Sequence, residues 1–163
     1  MIPESAGATP YGIFLLADSY LKAARIVMAA PGNRTAAPPR LLAYHAAELF
    51  LKTYMRSAGE TIATLRGQGH DLLEMVERSQ SLGLKVPKKV VAHARRTAAA
   101  NDYVRARYVV TELSEIPLES VLEFAEKIRA LVIAALDFKE NGVPRSRHWL
   151  GELPSDYPRA IRP

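Results

Sequence analysis

The chain has 163 residues, a formal net charge of +5 and no cysteine. That length suffices for one domain with its own core, and the lack of cysteine excludes a disulfide framework, a thiolate nucleophile and a cysteine-ligated zinc site. Met1 to Ser5 carry no basic leader and the apolar run Ile13 to Ala17 is too short for a membrane span, so a cytoplasmic protein without membrane contact is expected.

Helical spacing recurs along the chain, and no strand-like alternation interrupts it. The expected organisation is an N-terminal tail over residues 1–8, a helical bundle over 9–141 and a C-terminal extension over 142–163. Thr9 reads as an N-cap with Pro10 at the first helical position. Ile13, Leu16, Ala17, Tyr20, Leu21, Ala24 and Val27 then recur at spacings of three and four. This helix ends near Ala30, ahead of Pro31-Gly32. Pro38-Pro39 lead into a second helix from about Arg40 to Ala58, stopped by Gly59. Leu42, Ala46, Leu49, Phe50 and Thr53 form its apolar stripe, while His45, Glu48 and Lys52 lie on a more polar side, Glu48 and Lys52 as an i,i+4 ion pair.

A third helix starts at His70-Asp71, where Asp71 and Glu74 have the spacing of a capping box, and Gly83 closes it. Pro87 opens a fourth, bending near Asn101-Asp102, where short polar side chains compete for backbone hydrogen bonds. Pro117 opens the last, which runs to Asn141-Gly142. Its stripe of Val121, Leu122, Phe124, Ala125, Ile128, Leu131, Val132, Ala135, Leu136 and Phe138 is broad enough to need several neighbours or another subunit. Beyond Val143 the chain is rich in Pro and Arg, with Trp149, Leu150, Leu153 and Tyr157 available to dock on the bundle. The fold class is all-α, an up-and-down bundle of about five helices with a Pro/Arg-rich extension.

Charge is segregated. Residues 85 to 108 hold seven Lys and Arg against Asp102 alone, a local balance of +6 that leaves the rest slightly acidic. Such a segment attracts phosphates. Lys89, His93 and Arg96 share a helical face, on which an anion would favour protonation of His93. Arg105 and Arg107 offer guanidinium donors, with Asp102 an i,i+3 partner for Arg105. Tyr108, Tyr103 and Tyr44 are stacking or core residues, with core packing expected for at least two of them. His45 and Glu48 have the i,i+3 spacing of paired metal ligands, but no second pair accompanies them. A hydrogen-bonded histidine and an ion-paired glutamate are expected instead, His70 reads as a helix-start residue, and no metal or organic cofactor is called for.

Three stretches resemble HEPN domains, the higher eukaryote and prokaryote nucleotide-binding family: Ala17 to Ala24; Glu48-Leu49-Phe50-Leu51-Lys52 followed by Gly69-His70-Asp71-Leu72; and Tyr103 to Tyr108. The resemblance implies a helical bundle, frequent homodimers, and members that are RNA-cleaving toxins, nucleotide-binding modules or partners of small nucleotidyltransferases. Catalytic members carry an arginine, four to six intervening residues and a histidine near the start of a late helix. Neither Arg105 nor Arg107 is followed by such a histidine. Arg40 and His45 match the spacing in the second helix, but five helical positions turn their side chains about 140° apart.

The expected function is therefore a non-catalytic or regulatory HEPN-like domain, homodimeric, binding nucleotide, RNA or a nucleotidyltransferase-type protein. Its site residues are Lys89, His93, Arg96, Arg105, Arg107 and Tyr108, with no catalytic residue assigned. A ribonuclease toxin that borrows a spatially neighbouring histidine is the alternative, and an assembly module without a nucleic-acid ligand is the third reading.

Overall fold

The computed structural model describes residues 9–32, 35–108 and 114–146. Among these are seven helices: α1 (Pro10–Ala29), α2 (Ala37–Ser57), α3 (Ile62–Gly67), α4 (Leu72–Ser81), α5 (Lys88–Ala99), α6 (Asp102–Tyr108) and α7 (Leu118–Ala135). Their ends follow local chemistry. Thr9 Oγ1 accepts from Gly12 N at 3.0 Å, and Asp71 Oδ1 accepts from Leu73 N at 2.9 Å and Glu74 N at 3.0 Å. Gly59 and Gly83 adopt the positive φ of helix stops.

α2 is the central element. Ala43, Ala46 and Ala47 are fully buried, as are Ala17 and Ala24 of α1, and small side chains at facing positions let helix axes approach closely. Phe14 packs against Phe50 with ring centres 5.3 Å apart and Tyr20 meets His45 at 4.6 Å, so α1 and α2 run antiparallel. α7 returns antiparallel to α1, tied by Arg129 to Asp18 at 2.6 Å and by Arg25 to Glu126. The apolar stripe of α7 is covered within the chain by α2, α1 and α5, so it does not require a second subunit.

Four details differ from the sequence reading. In α1 Phe14 turns inward while Leu16 is 49% exposed, a change of register within an apolar run that periodicity alone does not resolve. α3 is an added helix; its six residues make fewer than two turns and offer no period to read. The bend near Asn101 is a break: Asn101 takes φ +50, a conformation asparagine tolerates better than most residues, and its carbonyl starts α6 by accepting from Arg105 N at 3.0 Å. The last helix ends at Ala135, because Asp137 adopts φ +53 and returns Phe138 to the core, 5.2 Å from Phe14.

Gly142 packs against the Phe14 ring of that pair. A Cβ there would lie 2.5 Å from Phe14 Cε1, and its φ is +83. Gly142→Ala is expected to lower stability by about 2 kcal/mol, from positive-φ strain and displacement of a buried ring, read as a lower denaturation midpoint at unchanged m-value. The tail at residues 1–8 and Trp149, Leu150, Leu153 and Tyr157 lie outside the described residues.

Candidate functional site

Glu48 lies in the middle of α2, where helical spacing sets His45 and Lys52 beside it. Its side chain is only 2% exposed, because the face read as polar is roofed by α6 and by His70. Oε1 accepts from Lys52 Nζ at 2.8 Å, and Oε2 accepts from the Tyr103 hydroxyl at 2.6 Å with His70 Nδ1 at 2.9 Å. His45 Nδ1 stands 3.1 Å from the same hydroxyl. Burial by itself would raise the Glu48 pKa, but His45, Lys52, Tyr103 and His70 outweigh it and hold the carboxyl well below the usual range. Burial, then the charge and hydrogen bond of Glu48, push the Tyr103 phenol up. The centre is thus a buried carboxylate receiving a neutral phenol.

His70 is 44% exposed. Glu48 only accepts, so the tautomer that satisfies its 2.9 Å contact carries the proton on His70 Nδ1 and leaves Nε2 as an acceptor when the ring is neutral; in that tautomer the approach of Arg107 Nη2 to Nδ1 is not a hydrogen bond. Arg107 Nη2 lies 3.0 Å from His70 Nδ1 and donates to the Tyr103 oxygen at 3.1 Å, with its guanidinium 4.7 Å from the centre of the Tyr103 ring. Its Nε and Nη1 have no hydrogen-bond partner among the described residues. A carboxylate-oriented imidazole beside an arginine is a group that can bind a phosphate and can also move a proton.

A second network braces this one. Asp102 Oδ2 accepts from Arg40 Nη1 at 2.8 Å and from the Tyr44 hydroxyl at 2.6 Å, with Thr97 Oγ1 3.4 Å from that hydroxyl. The expected local partnership of Asp102 with Arg105 gives way to this pairing across 62 positions. Arg40 and His45 belong to different networks and do not form a pair.

The basic segment divides at Asn101. Arg107 joins the Glu48 cluster; Arg105 is half-buried beside it on α6; Tyr108 is 77% exposed, whereas Tyr44 and Tyr103 are in the core. Lys89, His93 and Arg96 instead line an open cleft of about 350 Å³ between α5 and α7, shared with Ser120, Glu123 and Lys127. His93 is buried there, stacked on Phe124 at 4.5 Å, and does not face solvent. Glu48, His45, His70, Lys52 and Tyr103 were not assigned to a site by sequence reasoning. Their signal was the set of motifs carrying the family resemblance, since Glu48, Lys52, His70, Tyr103 and Arg107 come from the second and third stretches and meet around one carboxylate, while His45 lies outside them.

The HEPN domain model matches residues 16–152, most of the chain. The chain belongs to the HEPN domain family. HEPN domains generally bind nucleotides or RNA or act as ribonucleases, and they often dimerise. No curated protein and no solved structure matches this HEPN chain. Among its described residues no group of three or more His, Asp or Glu is arranged to hold a metal ion, and no helix is long and apolar enough to cross a membrane.

Proposed function

We propose that this HEPN domain is an RNA-binding module whose ligand phosphate sits against Arg107 and His70, with Arg105 adding charge and Tyr108 offering a stacking surface. The observation that carries the reading is the outward placing of Arg107 and His70 on a buried carboxylate, with Nε and Nη1 of Arg107 making no hydrogen bond among the described residues. A phosphate would accept from those nitrogens and, once the ring is protonated, from His70 Nε2. In anisotropy titrations of a mixed-sequence single-stranded RNA, Arg107→Ala is expected to weaken binding about tenfold and to reduce the slope of log K against log salt by about one. Arg107→Lys should recover part of the affinity. Equal affinity and equal slope in wild type and Arg107→Ala would remove the site.

One observation favours a second reading. The 3.0 Å approach of Arg107 to His70, with Glu48 orienting the ring, supports cleavage of RNA. In that reaction His70 Nε2 takes the proton of the ribose 2′-hydroxyl, whose oxygen attacks phosphorus, and Arg107 stabilises the developing charge. The 5′-oxygen leaves with a proton from His45, giving a 2′,3′-cyclic phosphate and a 5′-hydroxyl end. Appearance of those ends with wild type but not with His70→Ala, at preserved RNA affinity, would establish this reading over simple binding.

A further inference from the structure

α5 carries its charge in an arrangement that the helix itself does not favour. Lys88 and Lys89 occupy its first turn after Pro87, with no acidic residue there and no side-chain cap, and positive charge at that end opposes the helix dipole. The pattern continues around Ala92. Lys88, Lys89, Arg95 and Arg96 stand at −4, −3, +3 and +4 from it, the four positions that surround a residue on a helix surface. Like charges at such spacings repel. All four cations and Ala92 are exposed, and Lys88, Lys89 and Arg95 make no ion pair among the described residues. Arg96 approaches only His93 Nδ1, at 3.5 Å.

Nothing within the described fold relieves this charge. Val90, His93, Ala94 and Thr97 take the buried face of α5, which turns the cations to solvent. Glu123 of α7 shares the adjoining cleft, but it meets Lys127 at 3.4 Å. The ends of the chain bring no run of acids either: residues 1–8 hold Glu4 alone, and residues 147–163 hold three arginines against Glu152 and Asp156.

We propose that this face of α5 docks an acidic helix of a partner protein. One apolar side chain of the partner rests on the Ala92 methyl, and glutamates or aspartates three and four residues to either side of it pair with Lys88, Lys89, Arg95 and Arg96. A small residue at the crossing lets a second helix approach closely. The long basic side chains around it lie along the apolar contact while their heads reach the acids, and charged flanks of this kind select partner and orientation in paired helices. The docked acids also remove the repulsion along α5 and oppose the misplaced charge in its first turn. Nucleic acid fits the face less well. The exposed residues of α5 include no aromatic ring on which unstacked bases could lie, duplex RNA closes its major groove to side chains, and Glu123 beside the cleft opposes a polyanion.

The test is anisotropy titration of the full chain with a fluorescein-labelled helical peptide in which leucines seven residues apart are separated by glutamate pairs at the third and fourth positions between them. An isomer with its glutamates moved to the second and fifth positions, on the opposite face, is the control. The expected result is saturable one-to-one binding of the first peptide, about tenfold weaker binding of the isomer, and about tenfold loss in Lys89→Gln/Arg96→Gln. Ala92→Lys separates packing from bulk charge: it adds a cation, which strengthens a purely electrostatic attraction, but it fills the contact, so peptide binding should fall. All three positions are exposed, so these variants keep the fold, and Arg107→Ala should bind the peptide like wild type. Equal binding of the two peptides, tighter binding by Ala92→Lys, or no binding of either peptide would overturn the proposal. A single-stranded RNA that displaces the peptide more effectively than unlabelled peptide, with the same dependence on Lys89 and Arg96, would overturn it in favour of a nucleic-acid surface. A dimer in sedimentation that Lys89→Gln/Arg96→Gln dissociates would overturn it in favour of a second copy of this chain.

Discussion

Glu48→Gln is expected to destabilise the domain by about 3–5 kcal/mol, the usual result of removing one partner from a buried ionic network. The substitution preserves size, but one carboxamide oxygen must replace two acceptors that serve Lys52, Tyr103 and His70, and its new N–H groups face donors. Chemical denaturation at neutral pH measures the effect. A loss under about 1 kcal/mol would mean that Lys52 and His70 turn to water and that the network is weak. The pH dependence supplies an independent check. Glu48 has a depressed pKa in the folded state, so its stabilisation is fully present above the unfolded value, about 4.3 for glutamate. It is lost as the pH falls below that value toward the folded one. The stability gap between wild type and Glu48→Gln should therefore narrow on acidification below about pH 4.3, and a constant gap would contradict the assignment.

Asp102→Ala is expected to cost a similar amount, about 3–5 kcal/mol, because it strands the Arg40 guanidinium in the core. Arg40 and Asp102 side chains are 7% and 5% exposed, so water offers little compensation. Tyr44 loses its 2.6 Å acceptor as well and keeps only Thr97 at 3.4 Å. The double variant Arg40→Met/Asp102→Ala should recover a large part of the loss, since the charge that required a partner is gone. A double-mutant cycle reads this directly. Additive losses from Arg40→Met and Asp102→Ala would show that the two side chains do not act as a pair.

The two networks also explain how much of the site was legible beforehand. Glu48 and Lys52 were readable as an ion pair because four helical positions bring them together whatever else the chain does. That the pair is buried was not, since its cover comes from His70 and Tyr103, 22 and 55 positions away. A glutamate, a lysine and a histidine at spacings of three and four look like a solvated helix face until another element is placed on top. Asp102 shows the same limit: its neighbour Arg105 is close in sequence, but the turn at Asn101 directs the carboxylate inward to Arg40.

What the sequence determined by itself is local. Helical period, the caps at Thr9 and Asp71, the glycine stops and the proline starts depend on residues within a turn of each other, and they define an all-α chain. The three short motifs were sufficient to indicate the HEPN family for the same reason, being local patterns in a fixed order. Only the tertiary structure decided that the second and third motifs converge on one carboxylate, that His70 stands beside Arg107, and that a single basic segment is divided between two separate surfaces. The physical cause of that division is one backbone conformation at Asn101, which separates α5, packed on α4 and touching α7, from α6, packed on α2. A change of direction at one residue moves every later side chain to a new neighbour, and charge patterning along the chain contains no record of it.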